Sequence, residues 1–158
     1  MPTFRNTRRV KHSAAEMFEL VADCGRYPEF LPLCTGMTLR KRESLGEGVE
    51  TVLADMEVGY KAIRERFLTR ATFDRTKLKI LVEYVDGPFR HLENRWTFRD
   101  QPAADGRKGC EVEFYISYEF RSRMLALLMG SMFDTAFRKF AEAFEKRADE
   151  IYGRAPAG

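Results

Sequence analysis

Glu65 is the residue whose type and position offer chemistry most directly. Counted in steps of two, it lies in phase with the apolar residues Ile63, Phe67, Ala71 and Phe73. A strand with this alternation buries one face, so the Glu65 carboxyl is expected to point inward. An inward carboxyl can act as a general base with a raised pKa or as a polar anchor for a ligand. The alternative, which we favour, is a place at the rim of the sheet, where the carboxyl reaches water. Glu65 is therefore a candidate polar anchor, and we predict no catalytic residue.

The histidines and cysteines form no pattern typical of a catalytic or metal site. His12 and His91 are the two histidines, and neither has a spacing that pairs it with a serine or cysteine nucleophile. Cys24, Cys34 and Cys110 are widely spaced and include no CxxC pair. We therefore expect three free thiols, no metal site, no disulfide framework and no cofactor.

Length and charge restrict the class of protein. The chain has 158 residues, which is typical of one domain, and we assign that domain to 1–153 and a frayed tail to 154–158. With 27 basic and 24 acidic residues the net charge is +3, too small for a general nucleic-acid binder, which argues against a DNA partner. The sequence has neither a secretory signal nor an apolar run long enough to span a membrane. These features favour a cytoplasmic protein with, at most, peripheral contact with the inner face of a membrane.

The start of the chain predicts one strand and two short helices. Residues 3–10 alternate in polarity and predict the strand. Ser13 followed by Glu16 forms a capping box for the first helix, and Gly25 is a natural stop. The stretch YPEFLPLC at 27–34 comes next, and its two prolines prevent a continuous helix. This segment is too short for a core helix and too interrupted for a strand.

The rest of the chain predicts a sheet followed by a long helix. After Cys34 apolar residues recur with period two between turn sequences such as LGEG at 45–48 and DGP at 86–88. This pattern indicates six consecutive antiparallel strands with one buried and one wet face. From about Arg123 to Gly153 the period becomes helical, and so long an amphipathic helix must cover the buried face of the sheet. We predict an α+β fold, with an antiparallel sheet of about seven strands curved around the C-terminal helix.

Aromatic and methionine side chains are frequent on the predicted inward faces. The chain has 13 Phe and 7 Met, and methionine suits a site of variable shape because its side chain is flexible. The side chains expected to converge between sheet and helix are Phe67, Trp96, Phe98, Phe114, Tyr118, Met129, Met132, Phe133 and Phe137. Composition alone does not separate a filled core from a lined cavity, so both interpretations stay open.

Three stretches of the sequence carry a family resemblance. They are YPEFLPLC at 27–34, DGPF at 86–89 followed by LENRWTF at 92–98, and AFRKFAEAFEKRADEIYG at 136–153. With this order of elements the chain resembles the START-like helix-grip superfamily, in particular its coenzyme Q-binding, polyketide cyclase-like branch. The likeness extends from about Arg9 to Gly153. Many members of that branch have tryptophan where this chain has Leu33.

The resemblance implies a tunnel between sheet and helix that holds a lipid, in this branch a polyprenyl quinone such as ubiquinone. It implies a carrier or chaperone in respiration, without chemical turnover. Phe30, Leu31 and Leu33 would then form an apolar lid over one end of the tunnel, and a permanent plug is the alternative. Bacterial relatives are described as ribosome-association toxins that hinder subunit joining, and the wider superfamily includes aromatase/cyclase enzymes. A ribosome-associating toxin and an aromatase/cyclase both stay as alternative functions. In the aromatase/cyclase, Glu65 would be the general base.

A membrane or ribosomal partner would require a local basic surface. The predicted wet face of the sheet carries a candidate basic docking face made of Arg64, Arg66, Arg70, Lys77, Lys79, Arg95 and Arg99. Such a face can attract an anionic bilayer or RNA phosphates despite the small net charge. Acidic residues on the same side, including Glu83, Glu93 and Glu111, are expected to weaken it.

Overall fold

The computed structural model describes residues 3–153, and the predicted frayed tail at 154–158 lies outside them. Its strands are β1 Thr3–Val10, β2 Cys34–Gly46, β3 Val49–Tyr60, β4 Ile63–Asp74, β5 Lys79–Asp86, β6 Phe89–Asp100 and β7 Cys110–Phe120. Its helices are α1 Ala14–Ala22, a short 3-10 helix Cys24–Glu29 and α2 Arg123–Tyr152. All seven strands form one antiparallel sheet in the order β1-β7-β6-β5-β4-β3-β2. The predicted α+β helix-grip fold is confirmed.

Helix α1 begins at the predicted capping box. The Glu16 amide donates to Ser13 Oγ at 3.1 Å, and the Ser13 amide donates to Glu16 Oε1 at 2.9 Å. These bonds satisfy two N–H groups that lack partners within the helix. The helix ends at Ala22, earlier than the predicted stop at Gly25, because the chain tightens into the 3-10 helix from Cys24 onward.

The sheet bends most at its β2 edge. The β2–β3 pairing shifts register between Cys34 and Gly36, between Leu39 and Lys41, and again near the hairpin turn. Such bulges bend a strand and increase its local twist. The 3-10 helix packs against β2 at this edge.

Helix α2 lies along β7 and is fixed at both ends. At its start, Ser122 Oγ accepts the Leu125 amide at 3.1 Å. Near its end, the Tyr152 hydroxyl donates to the Glu16 carbonyl at 3.0 Å. Aromatic contacts between helix and strand follow its length, namely Phe133 with Phe120, Phe137 with Tyr118 and Phe140 with Phe114. The helix thus covers the β1, β7 and β6 side of the buried face and leaves a gap toward β2.

Candidate functional site

An apolar cavity of about 80 Å³ lies between the buried face of the sheet, the second half of α2 and the 3-10 helix. Strands β2 to β7 form one wall and α2 forms the opposite wall. The gap between β2 and α2 is closed by residues 27–34, which we call the closing segment. Side chains that line the cavity include Tyr27, Leu31, Phe67, Thr69, Ala71, Trp96, Phe137 and Phe144.

Most polar groups in the cavity wall are already hydrogen-bonded. The Asn94 amide nitrogen donates to the Tyr115 carbonyl at 2.9 Å, and Trp96 Nε1 donates to Asn94 Oδ1 at 2.9 Å. The Tyr27 hydroxyl donates to the Val21 carbonyl. These bonds fix the tryptophan ring and the tyrosine ring against the cavity, so both present carbon surface to it.

Thr69 differs from those groups. It is a buried residue of β4 that lines the cavity, and its hydroxyl makes no hydrogen bond to any residue within 3–153. Its oxygen is not among the fully buried polar atoms without a partner, which within the described residues are His12 Nδ1 and Arg147 Nε, so the hydroxyl is not fully enclosed. A ligand carbonyl that reached Thr69 would supply the missing acceptor.

The closing segment packs on α2 through aromatic and charged contacts. The rings of Tyr27 and Phe30 lie 5.3 and 5.2 Å from that of Phe144, each edge to face. The Arg147 guanidinium lies 5.2 Å from the centre of the Phe30 ring, and its Nη2 is 2.5 Å from Glu29 Oε1. Arg147 therefore fastens two residues of the closing segment to the helix.

The other end of the closing segment holds a strained residue. Leu33 has φ of +67°, and left-handed backbone is unfavourable by about 1–2 kcal/mol for a residue with a side chain. The Gly59 amide donates to the Leu33 carbonyl at 2.9 Å, and Cys34 pairs with Val58 at the start of β2. These bonds to β3 hold Leu33 in place while Leu31, two residues earlier, is buried against the cavity.

The structure brings together only part of the predicted ligand site. Of the twelve residues predicted, those that line the cavity are Leu31, Phe67, Trp96 and Phe137. Phe30 and Leu33 are half-buried in the closing segment, and Met132 is half-buried on α2. The remaining five are buried in the core away from the cavity, and they are Phe98, Phe114, Tyr118, Met129 and Phe133.

Tight aromatic packing explains why these residues do not line a tunnel. The Phe133 ring lies 5.3 Å from Phe89, 5.7 Å from Phe120 and 5.5 Å from Phe137. Rings at these separations fill the interior beside the first turns of α2. The expected tunnel is therefore corrected to a small cavity beside a solid aromatic core.

Sequence reasoning missed several lining residues. Met56 and Thr69 lie on inward faces of β3 and β4, and Phe144 lies in the apolar stripe of α2. Their periodicity was visible in the sequence. These residues differ from other core residues in their distance from β7. That distance depends on how α2 crosses the sheet.

Glu65 lies on the inward face but outside the cavity. It pairs with Val58 of β3, beyond Phe67 toward the β3–β4 hairpin, and it is half-buried. Within the described residues its carboxylate makes no hydrogen bond or ion pair, and it does not contribute to the cavity wall. The inward phase is confirmed, whereas the position fits the rim of the sheet.

The titratable groups in the cavity wall are poorly suited to proton transfer near neutral pH. Burial raises the pKa of the Cys24 thiol to about 11 and holds the pKa of the Tyr27 hydroxyl well above its ordinary value. Burial also raises the pKa of Cys34 to about 11 and that of Cys110 to about 12. All three cysteines are free thiols, as predicted.

The predicted basic docking face is largely neutralised by ion pairs. Arg64 and Arg66 both lie near Glu57, with closest N–O distances of 3.8 and 3.5 Å. Arg95 pairs with Glu93 at 2.8 Å, and Arg99 lies 3.3 Å from Glu111 and 3.2 Å from Glu113. The members without an ion pair to a described residue are Arg70, Lys77 and Lys79.

Residues 3–153 contain neither a metal site nor a membrane-spanning helix. No cluster of three or more His, Cys, Asp or Glu side chains that could hold a metal ion is present in that range. Within the same range, no helix has the length and apolar character needed to cross a membrane.

Sequence and structure comparisons place the chain among known proteins. It is 32% identical to "Ribosome association toxin RatA" of Escherichia coli K12 over 152 residues, covering 96% of this chain and 90% of that protein. It is 33% identical to "Coenzyme Q-binding protein COQ10 homolog B, mitochondrial" of Xenopus laevis over 144 residues, covering 90% of this chain and 56% of that protein.

Solved structures show the same fold. An 18 kDa protein of Caulobacter crescentus has 34% identity and a TM-score of 0.74, with 97% of this chain and 99% of that chain covered. A START superfamily protein of Mycobacterium smegmatis has 19% identity and a TM-score of 0.66, with 94% and 98% covered. The profile of one family matches residues 10–145, so the chain belongs to the family described as polyketide cyclase / dehydrase and lipid transport.

Proposed function

We propose that this protein binds a polyprenyl quinone of the ubiquinone class and acts as a carrier or chaperone for it in respiratory electron transport. The observation that carries the proposal is the cavity, which is apolar, lies beneath a separately attached closing segment, and contains the Thr69 hydroxyl without a partner. Similarity to a protein named for coenzyme Q binding supports the choice of ligand. The ligand takes the place of a cofactor in this proposal, and no metal is involved.

The size of the cavity implies that binding opens it. Cavities of about 150 Å³ hold benzene, and sites for larger ligands measure about 300–1,000 Å³. At about 80 Å³, the cavity is too small for a quinone ring unless its walls move apart. We take the closing segment as the part that moves, because side-chain contacts of Tyr27, Glu29 and Phe30 attach it to α2. Relief of the strained Leu33 backbone would offset part of the free energy of opening.

In the open state the quinone ring would lie against Trp96 and Phe144, whose rings contact each other edge to face with centroids 5.1 Å apart, and one carbonyl would accept from the Thr69 hydroxyl. Edge-to-face and stacked contacts with these rings stabilise a planar ligand. The isoprenoid tail would leave through the gap between β2 and α2 that the closing segment now fills. This arrangement uses the wall only for contact and one hydrogen bond.

Mass spectrometry of an organic extract tests the proposal. The protein is purified gently from its native host beside an Ala71→Leu variant, in which a larger side chain occupies the cavity. A quinone that co-purifies with the wild type and is missing from the variant supports the proposal. An extract without quinone, together with no saturable uptake of added quinone, would contradict it.

Ribosome association is the second candidate, and the similarity to a relative named for it over 96% of the chain favours it. Arg70, Lys79 and Lys77, the last in the turn between β4 and β5, form no ion pair with a described residue and are the members of the predicted docking face that could contact RNA phosphates. Co-sedimentation with ribosomal subunits at low and high salt tests this candidate. Salt-sensitive binding that Arg70→Gln, Lys77→Gln and Lys79→Gln together abolish would favour it over quinone binding, provided that Ala71→Leu leaves the binding intact.

A cyclase or dehydratase reaction receives less support from the site. Glu65, its predicted base, does not line the cavity, and the pKa shifts of Cys24 and Tyr27 are unfavourable for acid–base work near neutral pH. We propose a non-catalytic protein of the cytoplasm that contacts the membrane at its inner face. Turnover of a polyketide substrate that Glu65→Gln abolishes would overturn this assignment.

A further inference from the structure

The first two turns of α2 expose large apolar side chains. Met124, Leu127 and Leu128 have 70%, 81% and 62% of their surface accessible. Positions separated by three and four residues lie on one face of a helix, so the three side chains form a continuous stripe, which we call the apolar patch. Single exposed leucines are common, but a contiguous group of this kind marks an interaction site.

Packing of the core does not account for the apolar patch. The opposite face of the same two turns already supplies Leu125 and Met129 to the interior, and Phe133 continues that buried face. Leaving Leu127 in water forgoes the favourable burial of its apolar surface. A partner outside the fold would recover that free energy.

The charges around the apolar patch favour an anionic partner. Arg121 and Arg123 are exposed and form no ion pair with another residue of 3–153, and no acidic residue occurs from Arg121 to Phe133. Arg123 precedes Leu127 by four positions and shares its face. The N-terminal end of a helix carries partial positive charge from the macrodipole and attracts anions. Arg121 and Arg123 add positive charge at this end of α2, which has no acidic residue in its first turn.

Acidic groups at the same end of the sheet do not cancel this potential. Glu119 is paired with Arg90 at 3.8 Å, and Asp86 ends β5 beside the turn whose Pro88 carbonyl accepts the Arg121 amide. Asp86 and Glu65 are thus the carboxylates at this end without an ion pair to a described residue, against three such cations, Arg121, Arg123 and Lys61 of the β3–β4 hairpin. The local balance stays positive.

We propose that the first two turns of α2 dock on an anionic phospholipid surface. Met124, Leu127 and Leu128 enter the boundary between headgroups and acyl chains, and Arg121 and Arg123 contact lipid phosphates. The apolar patch replaces the basic wet face of the sheet as the membrane contact, because most arginines of that face are already paired. The inference uses residues distinct from the cavity and does not depend on quinone binding.

Co-sedimentation with vesicles tests the docking surface. The full chain is mixed, without quinone, with vesicles of phosphatidylcholine and phosphatidylglycerol or with vesicles of phosphatidylcholine alone. We expect binding to the mixed vesicles, loss of most binding without phosphatidylglycerol, and at least about tenfold weaker binding after Leu127→Gln with Leu128→Gln. The matched control is Leu45→Gln, at a side chain 61% exposed in the β2–β3 hairpin, which should bind normally.

Arginine-to-glutamine variants test the electrostatic part of membrane docking. Arg121→Gln and Arg123→Gln should each weaken binding about fivefold, and raised salt should reduce the difference. Arg42→Gln removes the same charge from the exposed β2 edge and should have a smaller effect. Unchanged thermal unfolding in every variant shows that the fold is intact, as expected for exposed positions.

Three results would overturn the inference. The first is equal loss of vesicle binding in Leu45→Gln and in the double leucine variant. The second is a dimer of the free protein that the leucine changes dissociate, which would assign the apolar patch to a second copy. The third is ribosomal-subunit binding through Leu127 and Leu128 without vesicle binding. Because no quinone is present, none of these results bears on the cavity.

Discussion

Ala71→Leu tests whether the cavity is real free space and whether ligand occupies it. Ala71 lies on β4 between Val52 of β3 and Val82 of β5, in register with both, and all three side chains line the cavity. A leucine at this position extends directly into the space that we assign to the quinone ring. The variant should therefore be more stable than the wild type and unable to bind quinone.

Two routes give a similar magnitude for the gain in stability. Burying three added carbon atoms is favourable by about 2.4 kcal/mol, at about 0.8 kcal/mol for each. Filling a cavity of about 80 Å³ recovers about 2 kcal/mol, at roughly 24 cal/mol per Å³. Ordering the leucine side chain is unfavourable by about 0.5–1 kcal/mol. The free energy of unfolding should rise by about 1–2 kcal/mol.

Denaturant unfolding measures the stability, and calorimetric titration with a short-chain ubiquinone analogue measures binding. Ala148→Leu is the matched control, because Ala148 is fully buried on α2 but does not line the cavity. Overpacking there should lower the free energy of unfolding by about 1–3 kcal/mol and leave quinone binding intact. If Ala71→Leu loses stability as the control does, the free space is absent. If Ala71→Leu binds quinone normally, the ligand occupies another place. Either result would refute the assignment of the cavity as the quinone site.

Three further predictions concern the closing segment, the thiols and Glu65. Arg147→Gln should increase amide hydrogen exchange in 27–34 and speed quinone uptake, because the contacts with Glu29 and Phe30 are lost. The control is Arg138→Gln, in an exposed ion pair on the same helix, which should change neither quantity. The free energy of unfolding should fall as the pH rises from about 9 toward 11, because the Cys24 thiol stays protonated in the folded protein and ionises in the unfolded chain. Cys24→Ala should make the free energy of unfolding less dependent on pH in this range. Calorimetry should show equal quinone affinity for Glu65→Gln and wild type; a loss of affinity would place Glu65 in the site.

Local sequence patterns determine much of this fold in advance. The capping box at Ser13, the period-two runs and the apolar stripe of α2 indicate the helices and strands, and the order β2 to β7 follows from consecutive hairpins. The pairing of β1 with β7, far apart in sequence, does not follow from them. These signals depend on neighbours a few residues apart, which a sequence displays directly. The length and amphipathic character of α2 predicted that it covers the buried face of the sheet, and the resemblance to the START-like superfamily implied the same arrangement.

The limits of the cavity could not be predicted, because they depend on packing between distant residues. Phe133 and Phe137 are both inward aromatic residues four positions apart on α2, yet one fills the core and the other lines free space. The difference arises from Phe89 and Phe120, which meet Phe133 from two other strands. Ion pairing on the wet face is likewise set by cross-strand register, which the sequence pattern leaves open.

Trp96 allows the central claim to be measured directly. It is the single tryptophan of the chain, it lines the cavity, and it is almost fully buried. A quinone bound beside it should quench its fluorescence saturably as a short-chain ubiquinone analogue is titrated. The account predicts saturable quenching that Ala71→Leu abolishes and that Leu45→Gln preserves. Quenching that rises linearly without saturation, or that is equal in Ala71→Leu, would contradict ligand binding in this cavity.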